Sequence, residues 1–187
     1  MKKSLALLPV VVSSLVTSPA VCSDEITIRL SEESVSAYLN PTLSETNSSH
    51  LGLLYNDDED GILLTGGLFA NGQREMFSGR LGGKLYYADT DGKSGSDSGY
   101  GVALGGDFSY MLMPDLALNG GIFYAPTVLA FSDFDQYKEW FVRVNYKVFE
   151  TARVGMGYGS LELEPEDNGR DIEMEDGFFI EMNLQFQ

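Results

Sequence analysis

From residue 77 to residue 186 the chain is a series of stretches in which apolar and polar side chains alternate one by one. In the last stretch Phe178, Ile180, Met182, Leu184 and Phe186 alternate with Phe179, Glu181, Asn183 and Gln185. Trp140, Val142, Val144, Tyr146 and Val148 alternate with Glu139, Phe141, Arg143, Asn145 and Lys147. Ala152, Val154, Met156 and Tyr158 alternate in the same way with Arg153, Gly155, Gly157 and Gly159, and residues 77–87, 100–110 and 116–124 repeat the pattern. Successive side chains of an extended strand point to opposite faces, so each stretch predicts a strand with one apolar and one mostly polar face. Residues 49–56 and 61–70 are apolar and strand-like, with blurred alternation. Counted back from the C-terminus to His50, the pattern predicts eight strands.

The connections alternate in length. Asn71–Arg74, Met113–Asp115 and Phe149–Thr151 read as tight turns. Asn56–Asp60, Asp89–Ser98, Ala125–Asp135 and Leu163–Glu173 read as mostly longer, polar loops. Short turns at one end and longer loops at the other characterise a transmembrane β-barrel, and strands of about 10 residues or more suffice for a tilted crossing. Aromatic residues mark both strand ends. Tyr55, Tyr87, Tyr100, Tyr124, Tyr137 and Trp140 lie beside the long loops, and Phe77, Tyr110, Tyr146, Phe149 and Phe186 beside the short turns or the C-terminus. Two such bands match the interface girdles of outer-membrane barrels. A secreted β-sandwich also alternates, but its strands are shorter, about 5–6 residues, and its loops need not differ by end. The expected fold is therefore all-β: a small antiparallel transmembrane β-barrel over residues 49–187. Residues 24–48 read as a periplasmic lead segment or as an extra hairpin, Ile26–Leu30 with Val35–Leu39, that makes ten strands.

The N-terminus fits an exported barrel. Lys2 and Lys3, the apolar stretch from Leu5 to Val12 and the small residues Ser18 and Ala20 read as a signal peptide over residues 1–23, cleaved after Ala20 or Ser23. Cleavage after Ser23 also removes the single cysteine, Cys22; a lipoprotein would instead keep it as its first residue, but Pro19-Ala20-Val21 is a poor match to a lipoprotein signal. The stretch is too short to span a bilayer as a helix. One cysteine excludes an internal disulfide framework.

Charge sharpens the picture. The chain carries 28 Asp and Glu against 12 Lys and Arg, a net charge of −16, which excludes binding to nucleic acid through phosphate contacts. The acids concentrate in Asp57–Asp60, Asp89, Asp91, Asp97, Asp133, Asp135 and the stretch from Glu162 to Asp176, where Lys93 and Arg170 are the only bases. The negative charge thus belongs to the outward-facing loops and strand tips. Expected partners are outer-membrane lipid and lipopolysaccharide, with the barrel-assembly machinery during biogenesis.

Candidate chemistry is sparse. The inward face collects Arg80, Lys84, Arg143, Lys147 and Arg153 with Asp107, Glu139 and Glu181. In a barrel of eight strands side chains fill the centre, so these groups are expected to pair as an ion-pair plug. With ten strands the same inward basic excess would suit a narrow, anion-favouring channel. Asp89, Asp91 and Asp97 suggest a loose divalent site for Ca²⁺ or Mg²⁺, but Lys93 and the lack of a later Glu break the EF-hand pattern, and a solvated acidic loop is the preferred reading. His50, beside Ser48 and Ser49, is the only histidine and reads as a rim residue rather than a catalytic base. No cofactor and no enzymatic activity are expected.

Several segments, in order, carry a family likeness: Asn56 to Gly61; Tyr124-Ala125-Pro126; Asp135 to Glu139; Gly155 to Tyr158; and Asn168 to Asp171 with Asp176-Gly177. Through them the chain resembles the YfaZ family of outer-membrane proteins of Gram-negative bacteria, from about Leu51 to the end. The resemblance implies location and architecture, and no reaction. The chain departs from most outer-membrane barrels in ending on Gln187 after Phe186, which weakens the expected C-terminal assembly signal.

Overall fold

The computed structural model describes residues 24–92, 95–166 and 170–186. The leader reading of residues 1–23 lies outside the described residues, as do Lys93, Asp167, Asn168, Gly169 and Gln187. The chain folds as β1 (Asp24–Ser31), β2 (Ser34–Asn40), β3 (Thr42–Ser44), β4 (Asn47–Asn56), β5 (Gly61–Arg74), β6 (Phe77–Gly92), β7 (Gly95–Met113) and β8 (Leu116–Ala125). A single 3-10 turn at Thr127–Leu129 precedes β9 (Ala130–Ser132), β10 (Phe134–Phe149), β11 (Ala152–Pro165) and β12 (Ile172–Phe186).

Ten of these strands close a barrel. Each pairs antiparallel with its neighbours, β1 runs against β12 from Asp24↔Phe186 to Ser31↔Phe179, and β2 runs against β4 from Ser34↔Asn56 to Leu39↔Leu51. Closure satisfies the backbone of every strand where lipid offers no hydrogen bonds. β3 adds to the foot of β4, and β9 pairs with Gly99–Gly101 of β7 where β8 has already ended. Of the two strand counts the sequence allows, the structure has ten rather than the first choice of eight. The hairpin β1–β2 stands between β12 and β4 and has the same two faces as its neighbours. Ile28, Leu30 and Val35 point outward, and Thr27, Arg29 and Ser36 are buried in the lumen.

The packing inverts that of a soluble domain. Leu81, Ile122, Met156 and Phe178 belong to a continuous outward belt of exposed apolar side chains, Phe178 being 80% exposed. In a bilayer such a belt meets acyl chains. Tyr55, Tyr87, Tyr100, Tyr124 and Trp140 face outward at one end of the belt, and Tyr110, Tyr146 and Phe186 at the other. Tyr137 leaves the expected outer band. It is fully buried in the lumen, three residues from the outward-facing Trp140 and so on the opposite face of β10.

Asp24, Phe186 and the turns Glu75–Met76, Pro114–Asp115 and Glu150–Thr151 share one end, which short turns and chain ends identify as periplasmic. The first of these turns lies later than the predicted Asn71–Arg74, because β5 stays paired as far as Arg74↔Phe77. Glu75 closes that turn with φ 52°. At the outer end β6 and β7 run 16 and 19 residues, more than a crossing needs, so their hairpin rises above the membrane. The β1–β2 turn, Glu32-Glu33, also lies at the outer end and adds two acids to that face.

Candidate functional site

The lumen has three levels. The outer level is apolar. Leu54, Leu63, Ala88, Ala103, Ala125, Phe134, Tyr137, Leu161, Leu163, Ile172 and Met174 form one buried cluster. Over it lies the Asn56–Asp60 turn. Asn56 is fully buried, its Oδ1 accepts from the Glu59 N–H at 2.7 Å, and its Nδ2 donates to the Met174 carbonyl at 3.1 Å. That last bond reaches β12 from β4, so the turn is fastened across the outer mouth. Glu59, an acid expected at the surface, is buried beneath it.

The middle level is a layer of four phenylalanines. Phe69, Phe123, Phe141 and Phe179 point inward from β5, β8, β10 and β12. Each stands opposite a glycine of an adjacent strand: Phe69↔Gly82, Phe123↔Gly105, Phe141↔Gly121 and Phe179↔Gly157. The glycines make the layer sterically feasible. A Cβ on Gly157 would lie 2.5 Å from the Val142 carbonyl oxygen and 2.7 Å from the Phe179 ring. Aromatic cover over strand glycines also compensates for their missing side chains.

Four cations lie against these rings. Arg29 Cζ is 3.9 Å from the Phe179 centroid and Lys84 Nζ 3.9 Å from that of Phe123. Arg80 lies 4.8 Å from Phe69 and Arg143 5.0 Å from Phe141. Such contacts are worth about 2 kcal/mol or more where water is excluded.

The third level is a vestibule of about 650 Å³. Its lining begins at Phe69, Phe123 and Phe141 and reaches the periplasmic turns at Met76 and Asp115. All eight residues expected in the ion-pair network, Arg80, Lys84, Asp107, Glu139, Arg143, Lys147, Arg153 and Glu181, sit on the lumen wall. Arg80 Nε meets Asp107 Oδ2 at 2.7 Å, Arg143 meets Glu181 at 2.9 Å, and Lys84 donates to Glu139, which also accepts from the Tyr137 hydroxyl.

The inward basic excess disappears once the partners are complete. Arg29 bridges Glu175 at 3.0 Å and Glu181 at 3.3 Å, Arg153 lies 3.9 Å from Glu25, and Lys147 meets Glu150 at 2.9 Å. Among the described residues six cations thus pair with six carboxylates, five on the lumen wall and Glu150 exposed in the periplasmic turn. Sequence reasoning missed Arg29 and Glu25 because it took the lumen face from the eight strands after residue 48 and left their hairpin as an alternative. It missed Glu175 because a bulge opposite Leu161 and Glu162 turns both Met174 and Glu175 into the lumen, breaking the alternation.

Two other expectations change. Asp89 and Asp91 share a strand face, but Asp97 pairs with Thr90 and so points to the other face. The three do not converge, and among the described residues no group of three His, Cys, Asp or Glu is placed to hold a metal ion. His50 is not at the rim. It is buried in the wall, with Nδ1 2.8 Å from Asn40 Oδ1 and Nε2 3.1 Å from Thr65 Oγ1. Both ring nitrogens are occupied by structural partners, which leaves none for a nucleophile.

A closed antiparallel barrel with a lipid-facing belt, two aromatic girdles and a polar inner wall is an outer-membrane β-barrel protein. The chain belongs to the YfaZ family: a family model described as "YfaZ precursor" matches residues 1–186. The protein named "Outer membrane protein YfaZ" of Escherichia coli strain K12 is 28% identical over 130 residues, covering 70% of each chain. Among solved structures, the outer membrane channel DcaP of Acinetobacter baumannii is similar at TM-score 0.44 and 12% identity, over 86% of this chain. The chain spans 54% of that channel. The NanC porin is similar at TM-score 0.43 and 10% identity, over 89% of this chain and 99% of that one. At these scores the two likenesses add nothing to the strand pairing described above.

Proposed function

We propose that the protein is a non-conducting outer-membrane barrel that acts through its surfaces, without a catalytic step. The observation that carries this reading is the buried apolar cluster from Leu54 to Met174, which fills the outer half of the lumen above the phenylalanine layer. Side chains this completely buried, from Leu54 at 2% to Met174 at 0% exposure, leave no continuous water path through that level. The rival reading, a narrow anion channel, drew on an inward cation excess that the six-to-six pairing removes. Planar-bilayer recording tests the choice: purified protein is expected to give no discrete conductance steps, and reproducible single-channel steps would overturn it.

The outer face supports a partner of stated chemistry. Asp57, Asp58, Asp60, Asp89, Asp91 and Glu166 are exposed there, with Glu32 and Glu33. The phosphates of lipopolysaccharide carry the same sign of charge, so the two anionic surfaces join through Ca²⁺ or Mg²⁺ held diffusely between them rather than in a built site. Calcium is expected to raise the melting temperature in vesicles containing lipopolysaccharide more than in vesicles without it; equal shifts would remove this partner.

A further inference from the structure

Among the described residues the periplasmic vestibule has unengaged groups that are uncharged, apart from the carboxylates Glu75 and Asp115 at the turns of its mouth. Its cations already have carboxylate partners, so an anionic ligand must break a pair and leave an uncompensated carboxylate, and it also meets Glu75 and Asp115 at the mouth. Gln73, Ser78, Ser109 and Gln185 line the space and have no side-chain partner among the described residues. Asn71 uses its oxygen for the Ser48 hydroxyl at 2.8 Å, leaving its amide N–H groups toward the vestibule. Asn119 uses its nitrogen for the Ala117 carbonyl at 3.4 Å, leaving its oxygen. The polar cup, closed at its deep end by aromatic rings, therefore offers both donors and acceptors. A hydroxyl both donates and accepts, so a ligand rich in hydroxyls satisfies such a wall without regard to a fixed polarity.

We propose that the vestibule is a binding site for an uncharged, polyhydroxylated ligand of the short-oligosaccharide class, entering from the periplasm. The volume, about 650 Å³, falls within the range of small-ligand sites, roughly 300–1,000 Å³. The blind outer end makes the vestibule a receptor cup rather than a passage, and the ligand leaves by the mouth it entered. This site is independent of the outer acidic face.

The test uses the full mature chain in a sugar-free detergent such as LDAO. Maltotriose and triacetylchitotriose are titrated while ligand-observed NMR saturation transfer is followed, with glucose 6-phosphate and glucuronate as charged controls. Saturable binding of at least one neutral trisaccharide is expected, with weaker binding of the charged sugars. Gln73→Leu with Ser109→Val removes two free polar groups and is expected to weaken binding about three- to tenfold. Ser109→Trp fills the cup and is expected to abolish binding while the boiling-dependent gel shift of the folded barrel persists. Should the tryptophan variant fail to fold, Gln73→Leu with Gln185→Leu at the mouth takes its place, with the same weakening expected. No saturable binding by either neutral sugar, binding unchanged by these variants, or tighter binding of the phosphorylated sugar each overturns the proposal.

Discussion

Glu181 is the node of the lumen network, so Glu181→Gln is the sharpest perturbation of it. The side chain has no exposed surface and accepts from Arg143 Nη1 at 2.9 Å, Arg29 Nη2 at 3.3 Å, and Asn145 and Asn183 at 3.1 Å each. Glutamine keeps the shape and one acceptor oxygen. It removes the charge and sets an amide N–H₂ where donors already point. Removing one partner from a buried pair costs about 3–5 kcal/mol, and a buried unsatisfied donor about 1–3 kcal/mol. Two features offset part of this. Arg29 keeps Glu175 at 3.0 Å, and the Arg143 side chain is 19% exposed and can turn to vestibule water. A loss of about 3 kcal/mol is therefore expected, toward the lower end of the range for a buried pair. The assay is equilibrium unfolding by guanidinium in phospholipid vesicles, followed through Trp140, the single tryptophan. Arg143→Met alone is expected to cost less, because Glu181 retains Arg29. The double variant should fall short of the sum by about 1–3 kcal/mol, since both changes touch one contact. Strict additivity, or a Glu181→Gln barrel within about 0.5 kcal/mol of the parent, would refute a network in which Glu181 compensates two buried guanidiniums.

Other positions give independent checks. Glu75→Gly relieves a left-handed residue at φ 52° and should raise the unfolding midpoint by the equivalent of about 0.5–1 kcal/mol; an unchanged or lowered midpoint argues against that turn geometry. Gly157→Val forces a Cβ to 2.5 Å from a backbone oxygen and is expected to abolish the heat-dependent gel shift, whereas Gly72→Val, where a Cβ meets nothing within 4 Å, should fold normally. If both variants fold alike, the tight waist is not a constraint. Asp97→Asn should change calcium binding no more than Asp171→Asn, because Asp97 faces away from Asp89 and Asp91; a selective loss would locate a built site.

Much of the architecture is legible in period-two alternation, because an outer-membrane strand meets lipid on one face and a polar lumen on the other. Residues such as Val142 and Arg143 declare their faces directly. The β1–β2 hairpin has the same pattern, but it is short, and nothing local in Ile26–Leu39 says which strands it joins. Its place follows only from ring closure between β12 and β4. The phenylalanine layer is hidden for a different reason. Phe141 and Phe179 stand at inward positions among charged residues, and their role depends on glycines opposite them in other strands. The outer apolar plug blurs the pattern of β4 and β5, since Leu54 and Leu63 are apolar on the inner face as well. That blur is itself the trace of the plug. Tyr137 misleads because a tyrosine near a long loop serves equally in a girdle or under a cap, and only its phase within β10 decides.

The seam between β1 and β12 carries a consequence for how the ring can be cut. Asp24 stands directly opposite Phe186, and the other barrel connections join strands that are already neighbours around the wall. A short hairpin linker between those two residues would make the covalent chain as circular as its hydrogen bonding. New ends opened at the outer Glu32-Glu33 turn would then give a permuted protein with the same pairing and the same lumen. The wall is in this sense a loop of strands without a privileged first member, and the order of synthesis is imposed on a shape that does not itself specify a beginning.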